Sequence, residues 1–213
     1  MKRQMSMLKK LAAALALTLL AFGPVQAQEA TADAPAAAVE VKDFSLGPAD
    51  AKVEVIEYAS FTCPHCAAFH ADVYPKLKAD YIDTGKIKFT YREVYFDKYG
   101  LWAAMIARCG GEMRYFPIAD MIFEQQREWA ASDDATVVVE NLKRLGRAAG
   151  LEDTAMDACL KDGEQAKAMV ARYQENATAD DLQGTPSFKI NGTMHSNMSY
   201  DEMKAFIDAE LAK

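Results

Sequence analysis

The sequence predicts an α/β fold whose sheet is assembled from both ends of the chain and interrupted by an all-helical segment. Three observations predict it. A β-branched run at Val53, Val55 and Ile56 reads as a buried strand and leads, through Cys63-Pro64-His65-Cys66, into Ala67, Ala68, Phe69, Val73 and Leu77 at helical spacing. From about residue 98 to 178, apolar positions recur almost wholly at helical spacing. The chain then returns to strand character at Ser187-Phe188-Lys189-Ile190.

Residues 1–27 are expected to be a cleaved secretory signal. Lys2, Arg3, Lys9 and Lys10 form a positive front, Leu11 to Phe22 is apolar but short for a bilayer span, and Val25-Gln26-Ala27 offers small residues for cleavage. An uncleaved anchor is the competing reading, which that length disfavours. Export to the periplasm would place the mature chain, from near Gln28, in a compartment that permits stable disulfides. Residues 28–38 are Ala-rich with no periodic apolar face and read as a disordered leader. The chain carries 24 Lys and Arg against 31 Asp and Glu, a net of −7, and removing the four basic residues of the signal leaves −11. That balance disfavours nucleic acid and anionic membranes as partners. The remaining 186 residues suffice for one sizeable core.

Val39 to Val41 reads as an edge strand, with Gly47-Pro48 a turn before the strand at 53–58. Glu57 falls inside that apolar strand, six residues before Cys63. It is either a buried carboxyl that holds or passes a proton as thiols open and close, or a strand-end carboxylate facing water.

Cys63 and Cys66 sit where a helix begins. The first amides of a helix lack internal partners, and its dipole places positive charge there, so a thiol ionises more easily. Pro64 suits the first turn because its missing N–H is no loss. His65, when protonated, adds a positive charge close to Cys63. A helix end supplies roughly 0.3–2 kcal/mol, against about 1.4 kcal/mol per pKa unit, so the histidine and loop hydrogen bonds must supply the remainder of any large shift. Stabilising the thiolate also makes the disulfide more oxidising, by about 30 mV per 1.4 kcal/mol. Two plainer readings compete: half of a four-cysteine zinc site, completed by Cys109 and Cys159, or an inert local bridge. The strand-to-helix context favours redox chemistry, with no metal and no organic cofactor.

After the turn at Thr84-Gly85, Ile87, Phe89 and Tyr91 alternate with Lys88, Thr90 and Arg92, a strand with one polar face. Arg92 or Glu93 is a candidate neighbour of Glu57. In the helical segment, Leu101, Ala104, Met105 and Arg108 precede a stop at Cys109-Gly110-Gly111. A second helix carries Ile118, Met121, Ile122 and Phe123, with Trp129 near its end. Asp133 or Asp134 caps a third, through Val137, Val138, Leu142 and Leu145 to Gly150. A shorter helix holds Met156, Cys159 and Leu160, and a last one runs from Ala166 to Tyr173. In an exported chain Cys109 and Cys159 are expected to form a structural disulfide, closing a loop of about 51 residues for roughly 4 kcal/mol in the chain-entropy model; two buried free thiols are the alternative. Asn191-Gly192 then turns into a short strand at Thr193–His195, and Tyr200 to Leu211 closes the chain as an amphipathic helix.

The ordered set of a strand ending in Glu57, then Phe61-Thr62-Cys63-Pro64-His65-Cys66, a helical insertion, and Thr185-Pro186 opening a later strand resembles the DsbA family of bacterial thiol:disulfide oxidoreductases. The resemblance spans roughly residues 39–213. It implies a thioredoxin fold interrupted by a helical insertion, with 39–97 and 179–213 forming the thioredoxin-like domain and 98–178 the insertion. It implies that Cys63 is the exposed nucleophile and Cys66 the shielded resolving sulfur. It also implies that Pro186 is cis beside the pair, that the Thr185 backbone binds an extended substrate segment by strand-like hydrogen bonds, and that Glu57 is the family's buried acid. The implied partners are unfolded exported proteins with free cysteines and a DsbB-like, quinone-linked reoxidant in the inner membrane. Thr185 departs from the Val common at this position and is familiar among disulfide isomerases, so an isomerase or reductase is the rival within the fold. The short segment before the first firm strand leaves little room for a dimerisation region, and a monomer is expected.

Overall fold

The computed structural model describes residues 39–213; the signal and leader expected at 1–38 lie outside the described residues. Five strands, β1 (Phe44–Leu46), β2 (Val53–Ala59), β3 (Ile87–Glu93), β4 (Ser187–Ile190) and β5 (Thr193–Ser196), form one sheet in the order β1-β3-β2-β4-β5. Central β2 runs parallel to β3 and antiparallel to β4, which explains its near-continuous burial. Glu57 lies opposite Tyr91 of β3 and Phe188 of β4 in the register.

The edge strand expected at Val39–Val41 forms at Phe44–Leu46 instead. Val39 is exposed. Phe44 by contrast sets its ring 4.6 Å from that of Tyr115, and the Ser45 hydroxyl meets that of Thr90 at 2.8 Å. A packed ring and a cross-strand hydroxyl contact fix the strand at 44–46, whereas Val39 has nothing to cover and Val41 is only partly buried against the core.

Helix α1 (Pro64–Asp72) breaks at Val73, because Pro75 cannot donate back into it, and resumes as the short α2 (Tyr74–Leu77) and a π turn at Lys78–Ile82. Between β3 and β4 the chain is helical: α3 (Lys98–Cys109), α4 (Gly111–Glu124), α5 (Gln126–Trp129), α6 (Ala135–Ala148), α7 (Asp153–Lys161) and α8 (Gly163–Ala179). Asp97 caps α3 by accepting from the Tyr99 and Gly100 N–H groups, and Asp134 caps α6 by accepting from Thr136. The stop after α3 falls at Gly111, whose φ of +67° favours glycine. Cys109 and Cys159 are bonded to each other, tying α3 to α7, with 6.0 Å between their Cα atoms. Helix α9 (Tyr200–Leu211) closes the chain behind a Ser199–Glu202 capping box.

The core is continuous from Val55 and Phe89 of the sheet through Phe69 of α1 to Ile106, Ile118 and Leu142 of the inserted helices. On the opposite face, Ile56, Tyr58 and Val94 are covered by Tyr173, Leu182 and Met194. The two-residue period of β2 therefore puts Glu57 on the α1 side with Val53 and Val55. Glu93 leads away from Glu57: it forms a bidentate pair with Arg108 at 2.6 and 2.7 Å and accepts from the Tyr115 hydroxyl at 2.7 Å. Arg92 is likewise engaged elsewhere, with Asp43 and the Tyr58 hydroxyl. Among the described residues, no helix is long and apolar enough to cross a membrane.

Candidate redox site

Cys63 is the N-cap of α1, in extended backbone with Pro64 at the first helical position, so its Sγ stands over amides that the helix leaves without internal partners. The loop that presents it is held from two directions. Its N–H donates to the Ser60 carbonyl at 3.0 Å, and its carbonyl accepts from Ala67 N–H at 3.1 Å. From the inserted helices, Gln126 Nε2 donates to the carbonyls of Phe61 at 2.8 Å and Cys63 at 3.0 Å. Thr62 Oγ1 donates to Asp97 at 2.7 Å, joining the loop to the cap of α3. On the other side, the Thr185–Pro186 peptide bond is cis and the Thr185 carbonyl accepts from Cys63 Sγ at 3.5 Å.

Both Cys63 and Cys66 are free thiols here, and their environments push them apart. The Cys63 thiol is lowered from 9.0 to about 5. The largest cause is the hydrogen bond from the Cys66 thiol; burial opposes it, and the Thr185 side chain and the Cys66 and His65 N–H groups add to it. Cys66, fully buried, is pushed strongly up by that burial, by donating to Cys63, and by the nearby Glu57 carboxyl. One sulfur is thus a ready nucleophile and leaving group, and its neighbour holds its proton. His65 contributes through its backbone N–H, and its side chain is exposed alongside Pro64. The leading donor to Cys63 is therefore a neutral thiol, where the sequence had suggested a histidine charge, because the α1 geometry turns position 65 outward.

Glu57 does not face water: it is fully buried and hydrogen-bonded to His70 Nε2 at 3.0 Å. Sequence reasoning missed His70, although it lies four residues after Cys66 and so on the same helical face. It also missed Gln126, for which no local signal exists. The predicted set Glu57, Cys63, Pro64, His65, Cys66, Thr185 and Pro186 converges on one end of the sheet. Cys109 and Cys159 are bonded to each other, which leaves them unable to complete a zinc site with the first pair.

Comparison with known proteins places this geometry in a family. A thioredoxin family model matches residues 40–209. A putative protein-disulfide oxidoreductase of Rickettsia bellii is 36% identical over 171 residues, covering 80% of this chain and 65% of its own length, so this chain spans a little under two thirds of that relative. A probable disulfide bond formation protein D of Bacillus cereus is 31% identical over 180 residues, 79% of each chain. The crystal structure of alpha-DsbA1 from Wolbachia pipientis superposes with a TM-score of 0.75 at 28% identity, over 82% of this chain and 93% of that one.

Proposed function

The chain belongs to the DsbA family of thioredoxin-fold proteins, and from that premise we propose that it is a periplasmic thiol:disulfide oxidoreductase that donates a Cys63–Cys66 disulfide to folding exported proteins. The observation that carries the proposal is the opposed proton affinity of the two sulfurs. A substrate thiolate attacks Cys63 Sγ, the Cys63–Cys66 bond breaks, and Cys66 leaves and takes up a proton. A second substrate thiolate then attacks the substrate sulfur of the mixed disulfide, releasing oxidised substrate and the Cys63 thiolate. The low proton affinity of Cys63 makes it a good leaving group and favours the reduced enzyme. Thr185, ahead of the cis proline, supports the alignment of an extended substrate strand beside the sulfur. A DsbB-like membrane partner would restore the disulfide, and no metal or organic cofactor enters the cycle.

Equilibration with glutathione tests the direction. An oxidising potential is expected, and a value near that of thioredoxin, about −270 mV, would replace the oxidase with a reductase or isomerase. That second reading is favoured by one feature: a polar Thr185 beside the pair, which lowers the proton affinity of Cys66 as well as that of Cys63. Cys63→Ala is expected to abolish exchange and Cys66→Ala to accumulate mixed disulfides; turnover by the first variant would remove Cys63 as the nucleophile.

A further inference from the structure

The proton that Cys66 must gain and lose has no direct path to solvent, since this sulfur is fully buried. Behind it, three buried side-chain atoms lack a hydrogen-bond partner among the described residues: Glu57 Oε1, His70 Nδ1 and Tyr74 Oη. Two of them border one feature, and the third, on Glu57, lies behind His70. His70 and Tyr74 line a cavity of about 920 Å³ between α1–α2 and α4–α5, along with Asp120, Phe123 and Lys78. The His70 side chain is 7% exposed and Asp120 is 44% exposed, so the pair bridges interior and surface. His70 Nε2 meets Glu57 at 3.0 Å while Nδ1 stands 4.0 Å from Asp120 Oδ1, a gap closed by one water or by a small rotation of the exposed aspartate.

We propose that His70 and Asp120 form a proton relay linking the Glu57 carboxyl, and through it the Cys66 sulfur, to water in this cavity. The proposal rests on the exchange reaction above and assigns the route of its proton. When Cys66 attacks a mixed disulfide on Cys63, its S–H bond breaks and the proton passes by way of an intervening water to Glu57, whose Oε1 has no direct hydrogen-bond partner among the described residues. The new S–S bond forms, and the substrate sulfur leaves with its electron pair. Glu57 passes its proton to His70 Nε2 while His70 releases one from Nδ1 toward Asp120 and water. In the opposite direction the same groups protonate the departing Cys66. An imidazole suits this task because its two nitrogens accept and donate at once. The ring is held for it, stacked on Phe123 at 4.0 Å and tilted against Tyr74 at 4.7 Å.

The groups facing His70 are Glu57 from β2, Tyr91 from β3, Tyr74 from α2 and Asp120 from α4. Burial holds the Asp120 carboxyl above its usual range, opposed by His70 and Lys78 and reinforced by Glu57 and Glu124. The relay thus ends in a carboxyl that binds protons better than a free one.

The test separates ring closure from the first exchange. Reduced protein is mixed with oxidised glutathione and quenched with acid, and mass spectrometry follows the Cys63 mixed disulfide as it forms and then closes by Cys66 attack. Formation is expected to be unchanged in His70→Ala and Asp120→Asn. Closure is expected to slow about tenfold or more in His70→Ala, less in Asp120→Asn, with an altered pH profile in both. The cavity has room for imidazole, which is expected to restore closure in His70→Ala in proportion to its concentration. If His70→Ala fails to fold, Asp120→Asn, changed only near the surface, carries the test. Closure within about twofold of wild type in the folded variants, or a slowing that imidazole leaves untouched, overturns the relay. A wild-type protein that forms no mixed disulfide at all would instead remove the exchange reaction.

Discussion

Deleting the Cys66 sulfur is expected to raise the Cys63 pKa, because the Cys66 thiol is the leading group that lowers it. A hydrogen bond to a charged group is worth about 1.5–3 kcal/mol, and about 1.4 kcal/mol is one pKa unit. Cys66→Ala should therefore move Cys63 from about 5 up by roughly one to two units. Cys66→Ser keeps an O–H donor in place and should stay near the wild-type value. Ultraviolet absorbance of the thiolate reads both directly. A stability measurement gives an independent check. Since the folded-state pKa is depressed, the thiolate contributes stability to the reduced form that is fully present above the unfolded value, near 9.0, and lost as pH falls through about 5. At pH 7 the upper bound is about 2.7 kcal/mol, and screening at the site mouth beside exposed Pro64 and His65 reduces it. Denaturant unfolding of reduced wild type should weaken between pH 7 and 5, and more so than in Cys66→Ala. If Cys66→Ala titrates like wild type, the amides of α1 and Thr185 carry the whole shift and the role given to the second thiol is wrong.

Thr185→Val removes a side-chain donor to Cys63 and should raise its pKa by about one unit, making the enzyme less oxidising by roughly 30 mV in glutathione equilibria. Glu93→Ala strips the bidentate partner from Arg108, whose side chain is 10% exposed, and should cost about 3–5 kcal/mol in denaturant unfolding with little effect on the Cys63 titration. Replacing Cys109 and Cys159 together by alanine should cost roughly 4 kcal/mol while disulfide exchange at Cys63 persists.

The parts of the site that could be read from the sequence are those whose chemistry is local. Cys63, Pro64 and Cys66 are a cap and a first helical turn, so their suitability for redox chemistry follows from that setting, while the division into nucleophile and resolving sulfur comes from the family resemblance. The burial of Glu57 depends on which face of β2 it occupies, and that is decided by the neighbours on either side of the strand, which the sequence leaves open. His70 was visible in principle as the residue one turn beyond Cys66, but a lone histidine on a helix has no meaning until its face is known. Gln126 was out of reach: its two hydrogen bonds run to residues more than 60 positions away and exist only because α5 packs against the loop. The edge strand was misplaced for a related reason, since three residues of β1 carry too little pattern to outweigh two valines.

The inserted helices matter to the chemistry because they supply the wall that the sheet cannot. A strand–loop–helix can present Cys63, but the carbonyl of buried Phe61 takes its donor from elsewhere, and that of Cys63 gains a second donor beyond Ala67 N–H. One amide, that of Gln126, serves both, so the loop is held through its carbonyls from the insertion while its sulfur is addressed through Thr185, in the cis-proline turn ahead of β4. The same helices supply Phe123 and Asp120 to His70, which no strand is placed to do. Of the two sulfurs, the outer is therefore governed by α1 and the cis-proline turn, and the proton of the inner one by the seam between α1 and α4. This division explains why changes at Asp120 should alter the proton route while leaving the Cys63 titration in place, whereas a substitution at Thr185 reaches both sulfurs.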